Sequence, residues 1–231
     1  GIKKQLGDTF ENYKKNHNLL CNFLEGCVLN KPKAIIYFSS AAIYGEDNQF
    51  ERPISEKTSL DPKSFYGLSK YCSEKLLTKF CHENKILLNI LRPPLLYGIF
   101  DLSRGYGPTG FTFNALENKE ITIWGDGTEM REFIYINDLA RITLDIVEKN
   151  KMCVLNTVSG KSYNYLDIIK ILETIICKPL KVNFRERTML KTDHNFDNSK
   201  LINFLPNFRF TDLDKGIRKL CDDINLKSLK L

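Results

Sequence analysis

Ile35-Ile36-Tyr37-Phe38-Ser39-Ser40-Ala41-Ala42-Ile43-Tyr44-Gly45 is the stretch on which the fold turns. Its first half, within Lys33 to Ser39, is a short β-prone apolar run that reads as a strand buried on both faces. It ends in two adjacent hydroxyls. In open α/β sheets ligands gather at the carboxyl ends of strands, so Ser39 and Ser40 stand where chemistry is expected. Upstream, Asp8 to Val28 has apolar residues at helical spacing, with Asp8 as the expected N-cap. Downstream, Ser64 to Asn84 reads as a helix capped by Ser64, and Ile86 to Arg92 as the next buried strand, stopped by Pro93-Pro94. This alternation predicts a parallel sheet with crossover helices.

Beyond Tyr97 the pattern changes. A Gly/Pro-rich loop leads to a short helix near Phe111 to Asn118 and a strand at Ile121 to Trp124. A Gly-Asp-Gly turn follows, then the segment Glu132 to Tyr135, a helix from Asn137 to Lys149 and a strand near Cys153 to Val158. A helix from Asn164 to Cys177, a late strand at Val182 to Phe184 and a final helix capped by Thr211 complete the pattern.

Composition narrows the class. Of 231 residues, 42% are hydrophobic and 27% charged, which is ordinary for a globular chain with a sizeable core. No apolar run approaches the ~20 residues that cross a bilayer, so no membrane role is expected. The seven cysteines are odd in number and never spaced C-x-x-C, and there are three histidines. Neither a disulfide framework nor a metal centre is expected, and a reduced, cytoplasmic protein is the plain reading. The charge of +6 is dispersed among acids, which points to a solvated surface and not to nucleic acid.

Tyr66-Gly67-Leu68-Ser69-Lys70 carries the chemistry. Residues four apart on a helix share one face. A phenol with a pKa of about 10 is a poor base until a neighbouring ammonium favours its phenolate. Tyr71 to Lys75 offers the same spacing, yet positions five apart diverge by about 140°, so both tyrosines cannot serve one substrate.

With these residues in view, the chain resembles the extended short-chain dehydrogenase/reductases of the NAD-dependent epimerase/dehydratase family. Ser39 to Gly45 is similar to their S-S-x-x-V-Y-G strand end, and Tyr66 to Lys70 to their Y-x-x-S-K. Leu91 to Gly98 resembles L-R-P-x-N-V-Y-G, and Gly125 to Ala140 resembles G-D-G-x-x-x-R-D-F-I-Y-V-D-D-L-A. The likeness runs over about residues 10 to 225. It implies Ser40, with Ser39 as the runner-up hydroxyl, and Tyr66 and Lys70 as the catalytic group, with the 26-residue spacing from Ser40 favouring Tyr66 over Tyr71. It implies Asn12, Ser39, Tyr66, Lys70 and Pro93 beside an NAD or NADP cofactor. Ala41, Leu95, Arg131 and Arg187 would face a sugar-nucleotide substrate, with both arginines on its diphosphate.

The implied architecture is a Rossmann-type parallel sheet in residues 1–98, with a smaller α/β substrate-binding region in 99–231 from which some segments return to the sheet. A homodimer through the two helices near residues 10–28 and 64–84 is implied as well.

Three departures shape these expectations. The family opens with β-α-β and a glycine-rich turn that seats the pyrophosphate, and nothing in this sequence reads as that segment. The N-terminal portion of the Rossmann unit is therefore expected to be missing, and the chain as written is not expected to hold the cofactor or act alone. Gly105 to Gly110 matches G-x-G-x-x-G as text but follows no buried strand, and reads as a substrate-side loop. Ser159 to Ser162 lacks the earlier glycine of a Walker loop.

Secondly, Ala41 and Ala42 replace the Asp-Glu pair of the family's dehydratases, so epimerisation or ketosugar reduction is favoured over water elimination. Thirdly, Leu95 replaces an Asn that contacts the nucleotide. The alternative function is a truncated or degenerate relative that binds a nucleotide or partner subunit without turnover.

Overall fold

The structure, a computed structural model, describes residues 7–45, 52–101, 107–187 and 190–228. Helix α1 (Phe10–Leu29) leads to strand β1 (Ala34–Phe38), helix α2 (Phe65–Asn84) and strand β2 (Leu87–Arg92). β1 runs parallel to β2 from the pair Ala34 with Leu87 to Phe38 with Leu91. The third strand of this sheet, β6 (Cys153–Asn156), is also parallel and lies on the far side of β2.

β2 is thus central, and its residues from Leu88 to Arg92 are buried. On one face α1 and α2 bring Leu20, Leu24, Cys27, Leu77 and Cys81 against Ile35, Leu88 and Ile90. On the other, helix α4 (Ile136–Lys149) and helix α6 (Ser199–Phe204) bring Leu139, Ile142, Ile146 and Leu201 against Leu91 and Leu155. The continuous apolar runs of β1 and β2 follow from this two-sided burial.

The remaining elements form smaller parallel pairs. β3 (Leu95–Tyr97) pairs with β5 (Phe133–Tyr135), and β4 (Ile121–Trp124) with β7 (Val182–Arg185). Helices α3 (Gly107–Leu116), α5 (Tyr165–Ile176) and α7 (Leu213–Ser228) pack on them. α5 opens with a reciprocal capping box between Asn164 and Asp167.

Two expected caps are corrected. Asp8 does not cap α1. Thr9 has the extended backbone of an N-cap and its Oγ1 accepts from Asn12 N–H, which leaves the Asp8 carboxylate to take Tyr66 N–H in the first turn of α2. Thr211 likewise does not cap α7. Its N–H and hydroxyl both donate to the buried Asp138 carboxylate, and the helix starts two residues later. α3 also begins earlier than its apolar pattern suggests, because Pro108 sits in the first turn, where its missing N–H costs nothing. Of the expected loop Gly105 to Gly110, residues 105 and 106 lie outside the described residues, and Gly107 to Gly110 form the first turn of α3 instead of a loop.

Candidate active site

β1 hands its ladder on past its last residue. Ser39 N–H donates to Leu91 O at 2.7 Å and Ala41 N–H to Pro93 O at 2.9 Å. Ser40 then breaks away to cap a short 3₁₀ turn, Ala41–Tyr44, its Oγ accepting from Ala42 N–H at 3.2 Å. The two hydroxyls differ in setting. Ser40 is half-buried, whereas Ser39 is 3% exposed and its Oγ has no hydrogen-bond partner among the described residues.

Gly67 decides how α2 meets this turn. A Cβ there would stand 2.7 Å from Ala42 O and 3.0 Å from Pro62 Cβ, so only glycine lets the helix lie this close. One turn of helix on, Lys70 reaches the end of β1. Its Nζ donates to Phe38 O at 2.7 Å, 5.0 Å from the centre of the Tyr37 ring and 5.9 Å from that of Tyr66. Burial outweighs the nearby Glu74 carboxylate and brings the Lys70 ammonium down to about 8. The structure therefore gathers Tyr66 and Lys70 with the strand end that carries Ser39 and Ser40.

Tyr71 takes no part in this group. It packs with Leu60 on the apolar cluster of Ala41, Ile43, Tyr44, Ile54, Val158 and Phe196, and Lys75 lies over its ring.

The other expected residues are distributed as follows. Asn12 lies in the first turn of α1, its Nδ2 donating to Gly7 O at 3.1 Å; this turn abuts the start of α2, where the Phe10 and Phe65 rings are 6.1 Å apart. Pro93 is buried and contributes its carbonyl to Ala41. Ala41 is buried in the apolar cluster beneath the turn. Leu95 opens β3 opposite Phe133 and packs on the cluster around Tyr97 and Tyr135.

Arg131 and Arg187, 56 positions apart in sequence, converge on one carboxylate. Arg131 Nη2 lies 2.6 Å from Glu129 Oε1, and Arg187 Nη1 lies 3.3 Å from Glu129 Oε2. Arg131 also donates to the carbonyls of Met130 and Thr192. Arg187 stacks over Gly125, where any Cβ would collide with the guanidinium and where φ is +78°. Ile54 joins this region to the Ser40 turn, exchanging backbone bonds with Asn195 and Asp197 while its side chain packs with Ala41 and Tyr44.

Several buried charged and titratable groups near the site escape sequence reading. Arg92, 7% exposed, forms two bonds to Glu74, 6% exposed, and one to the Tyr44 hydroxyl. The one signal for it is an arginine closing an apolar strand. Glu132 is buried, takes the N–H groups of Ser159 and Gly160, and is pushed up to about 7 by desolvation. His194 is held down to about 3, first by burial and then by Arg131 and Arg52. Among the described residues no group of three His, Cys, Asp or Glu could hold a metal ion, and no helix is long and apolar enough to cross a membrane.

A parallel sheet in which the end of β1 meets a helix-borne tyrosine and lysine defines a Rossmann-like α/β protein. The chain belongs to the NAD dependent epimerase/dehydratase family, which it matches over residues 1–164. It is 28% identical over 199 residues to an uncharacterised UDP-glucose epimerase of Bacillus subtilis (strain 168), a match that covers 81% of this chain and 59% of that relative. It is 27% identical over 233 residues to a UDP-glucuronate 4-epimerase of Thermodesulfobacterium geofontis, covering 95% of this chain and 68% of the relative. Among solved structures it is similar to the UDP-glucuronic acid 4-epimerase of Bacillus cereus in complex with UDP-glucuronic acid and NAD. That match has a TM-score of 0.81 and 29% identity, covering 92% of this chain and 68% of the other.

Proposed function

We propose that this chain is the greater part of an NAD-dependent sugar-nucleotide epimerase, with ketosugar reduction as the neighbouring chemistry. The observation that carries the reading is Lys70. Its ammonium sits over the Tyr66 ring, anchored to the carbonyl that precedes Ser39, with its pKa drawn towards neutrality.

The family's dinucleotide fits this strand end. The buried Ser39 Oγ lacks a partner among the described residues, and a bound polar group would satisfy it. Asn12, Ser39, Tyr66, Lys70 and Pro93 would hold it. When bound, NAD supplies a hydride acceptor and donor for the sugar's carbinol carbon. The Tyr66 phenolate oxygen would take the carbinol proton and later return it. Lys70 favours the phenolate that this requires, and the Ser40 hydroxyl would hydrogen-bond the same sugar oxygen. Ala41 and Ala42 offer no acid for a leaving hydroxyl, which disfavours water elimination.

Arg131 and Arg187 would hold the substrate's diphosphate, with Ala41 and Leu95 towards the sugar nucleotide. Residues 1–98 would then supply the cofactor side and residues 99–231 most of the substrate side, with β6 in the cofactor sheet. A homodimer through α1 and α2 agrees with the exposed Leu19, Phe23 and Val28 of α1. A cytoplasmic location agrees with seven free thiols.

Turnover of a panel of UDP-, GDP-, dTDP- and ADP-sugars by the intact natural protein tests this reading. Tyr66→Phe should lower turnover by about 10²- to 10⁴-fold while the dinucleotide stays bound, and Tyr71→Phe should retain activity. Bound dinucleotide without turnover of any sugar would favour a non-catalytic relative instead.

A further inference from the structure

Glu129 is held in an unusual way for a residue beside the two arginines proposed to hold a diphosphate. Both of its oxygens are engaged. Oε1 accepts from Arg131 Nη2 at 2.6 Å and from Thr192 N–H at 3.0 Å, and Oε2 faces Arg187 Nη1 at 3.3 Å. The three side chains are 17%, 13% and 19% exposed for Arg131, Glu129 and Arg187, so water screens them only in part. Nearby, Asp126 is 64% exposed and 3.5 Å from Arg187 Nη2, while Arg52 adds positive charge on the His194 side. One largely buried carboxylate therefore bridges two guanidinium forks, the arrangement that a phosphoryl group would otherwise take up.

We propose that Glu129 is a resident anion that keeps Arg131 and Arg187 aligned and must give way when a nucleoside diphosphate arrives. The inference rests on the reading that these arginines hold the diphosphate. The N–H groups that Glu129 occupies are the ones a diphosphate needs, and a carboxylate left among its oxygens would repel it. Binding therefore exchanges one ion pair for another and does not simply add one. The exchange holds down the affinity for substrate and product alike, so that both leave readily. Glu129 is in this sense a positioning residue in the empty site and a competitor in the filled one.

Calorimetric titration of the intact protein with UDP, GDP, dTDP and ADP tests the idea. Glu129→Gln keeps the shape and one acceptor for Thr192 N–H but removes the charge. The expected result is tighter binding of the preferred nucleotide by on the order of tenfold. Arg187→Gln should weaken it by about the same factor, and melting curves establish that both variants are folded. A purely structural Glu129 gives the opposite sign, since loosening the arginines weakens binding. If Arg187→Gln weakens binding and Glu129→Gln does not tighten it, the resident-anion inference is overturned while the arginine reading stands. If Arg187→Gln changes nothing, or none of the four nucleotides binds, the arginine reading itself fails and the inference with it.

Discussion

Replacing Glu74 by Gln should unbalance the buried charge pair behind the candidate catalytic lysine. Arg92 Nε and Nη2 donate to the two Glu74 oxygens at 3.0 and 2.7 Å, and Nη1 donates to the Tyr44 hydroxyl at 2.9 Å. With both side chains under one-tenth exposed, the substitution leaves a guanidinium without a counter-charge in an apolar interior. Breaking such a pair costs about 3–5 kcal/mol; Gln keeps one acceptor, which puts this case near the lower end, at about 3 kcal/mol. For a chain of this size that lowers the melting temperature by roughly 6–12 °C.

The same change should reach the candidate active site. The Glu74 carboxylate raises the Lys70 ammonium against the stronger pull of burial, so its loss lets Lys70 fall further below about 8. If turnover needs that ammonium, its alkaline limb lies near pH 8 in the natural protein and moves to lower pH in Glu74→Gln. Calorimetric melting and pH–rate profiles on the intact protein measure the two effects. The double variant Glu74→Leu with Arg92→Met removes both charges and should recover most of the lost stability. A Glu74→Gln protein that melts within about 2 °C of the natural one would refute the reasoning, because the pair would then contribute little.

Other outcomes follow from single contacts. Gly67→Ala forces a methyl against Ala42 O and should cost about 1–3 kcal/mol in urea unfolding, with turnover falling as Tyr66 is displaced. Leu77→Ala empties a fully buried site between α2 and the sheet, and should cost about 2–5 kcal/mol by the same measurement. Glu132 is held neutral more readily in the folded chain than in the unfolded one, its value raised from 4.5 to about 7. Between those values the unfolded state loses its proton first, so this residue's contribution falls as pH rises from about 4.5 to 7, by up to about 3 kcal/mol. Glu132→Gln should flatten that part of the stability–pH curve, and an unchanged slope would count against the assignment.

Most elements of the parallel sheet are legible because each declares itself locally. β1 and β2 are unbroken apolar runs, and α1 and α2 carry helical spacing, with Ser64 legible as the cap of α2 while Asp8 misleads because Thr9 beside it caps α1. Ser64 is legible as a cap and Tyr66 with Lys70 as an i, i+4 pair because both are properties of one segment, whereas the need for glycine at 67 depends on Ala42, 25 positions earlier. The short strand β3 hides behind Pro93-Pro94, and α6 has six residues, too few for periodicity to show. Thr211 misleads because its hydroxyl serves Asp138, 73 positions earlier. Glu129 is illegible for the same reason: its meaning depends on an arginine 58 residues away, and no local pattern records that meeting.

β6 has a consequence for how the molecule comes apart. It fills the sheet position beside β2 although 60 residues separate Arg92 from Cys153, and α6 closes over Leu91 and Leu155 from still further along the chain. A protease nick at residue 98 would therefore not release two self-sufficient pieces. The front fragment would bare the flank of its middle strand, and the rear fragment would carry a lone strand with no neighbour to pair with. Both halves should melt together, so a single unfolding transition is the signature to look for.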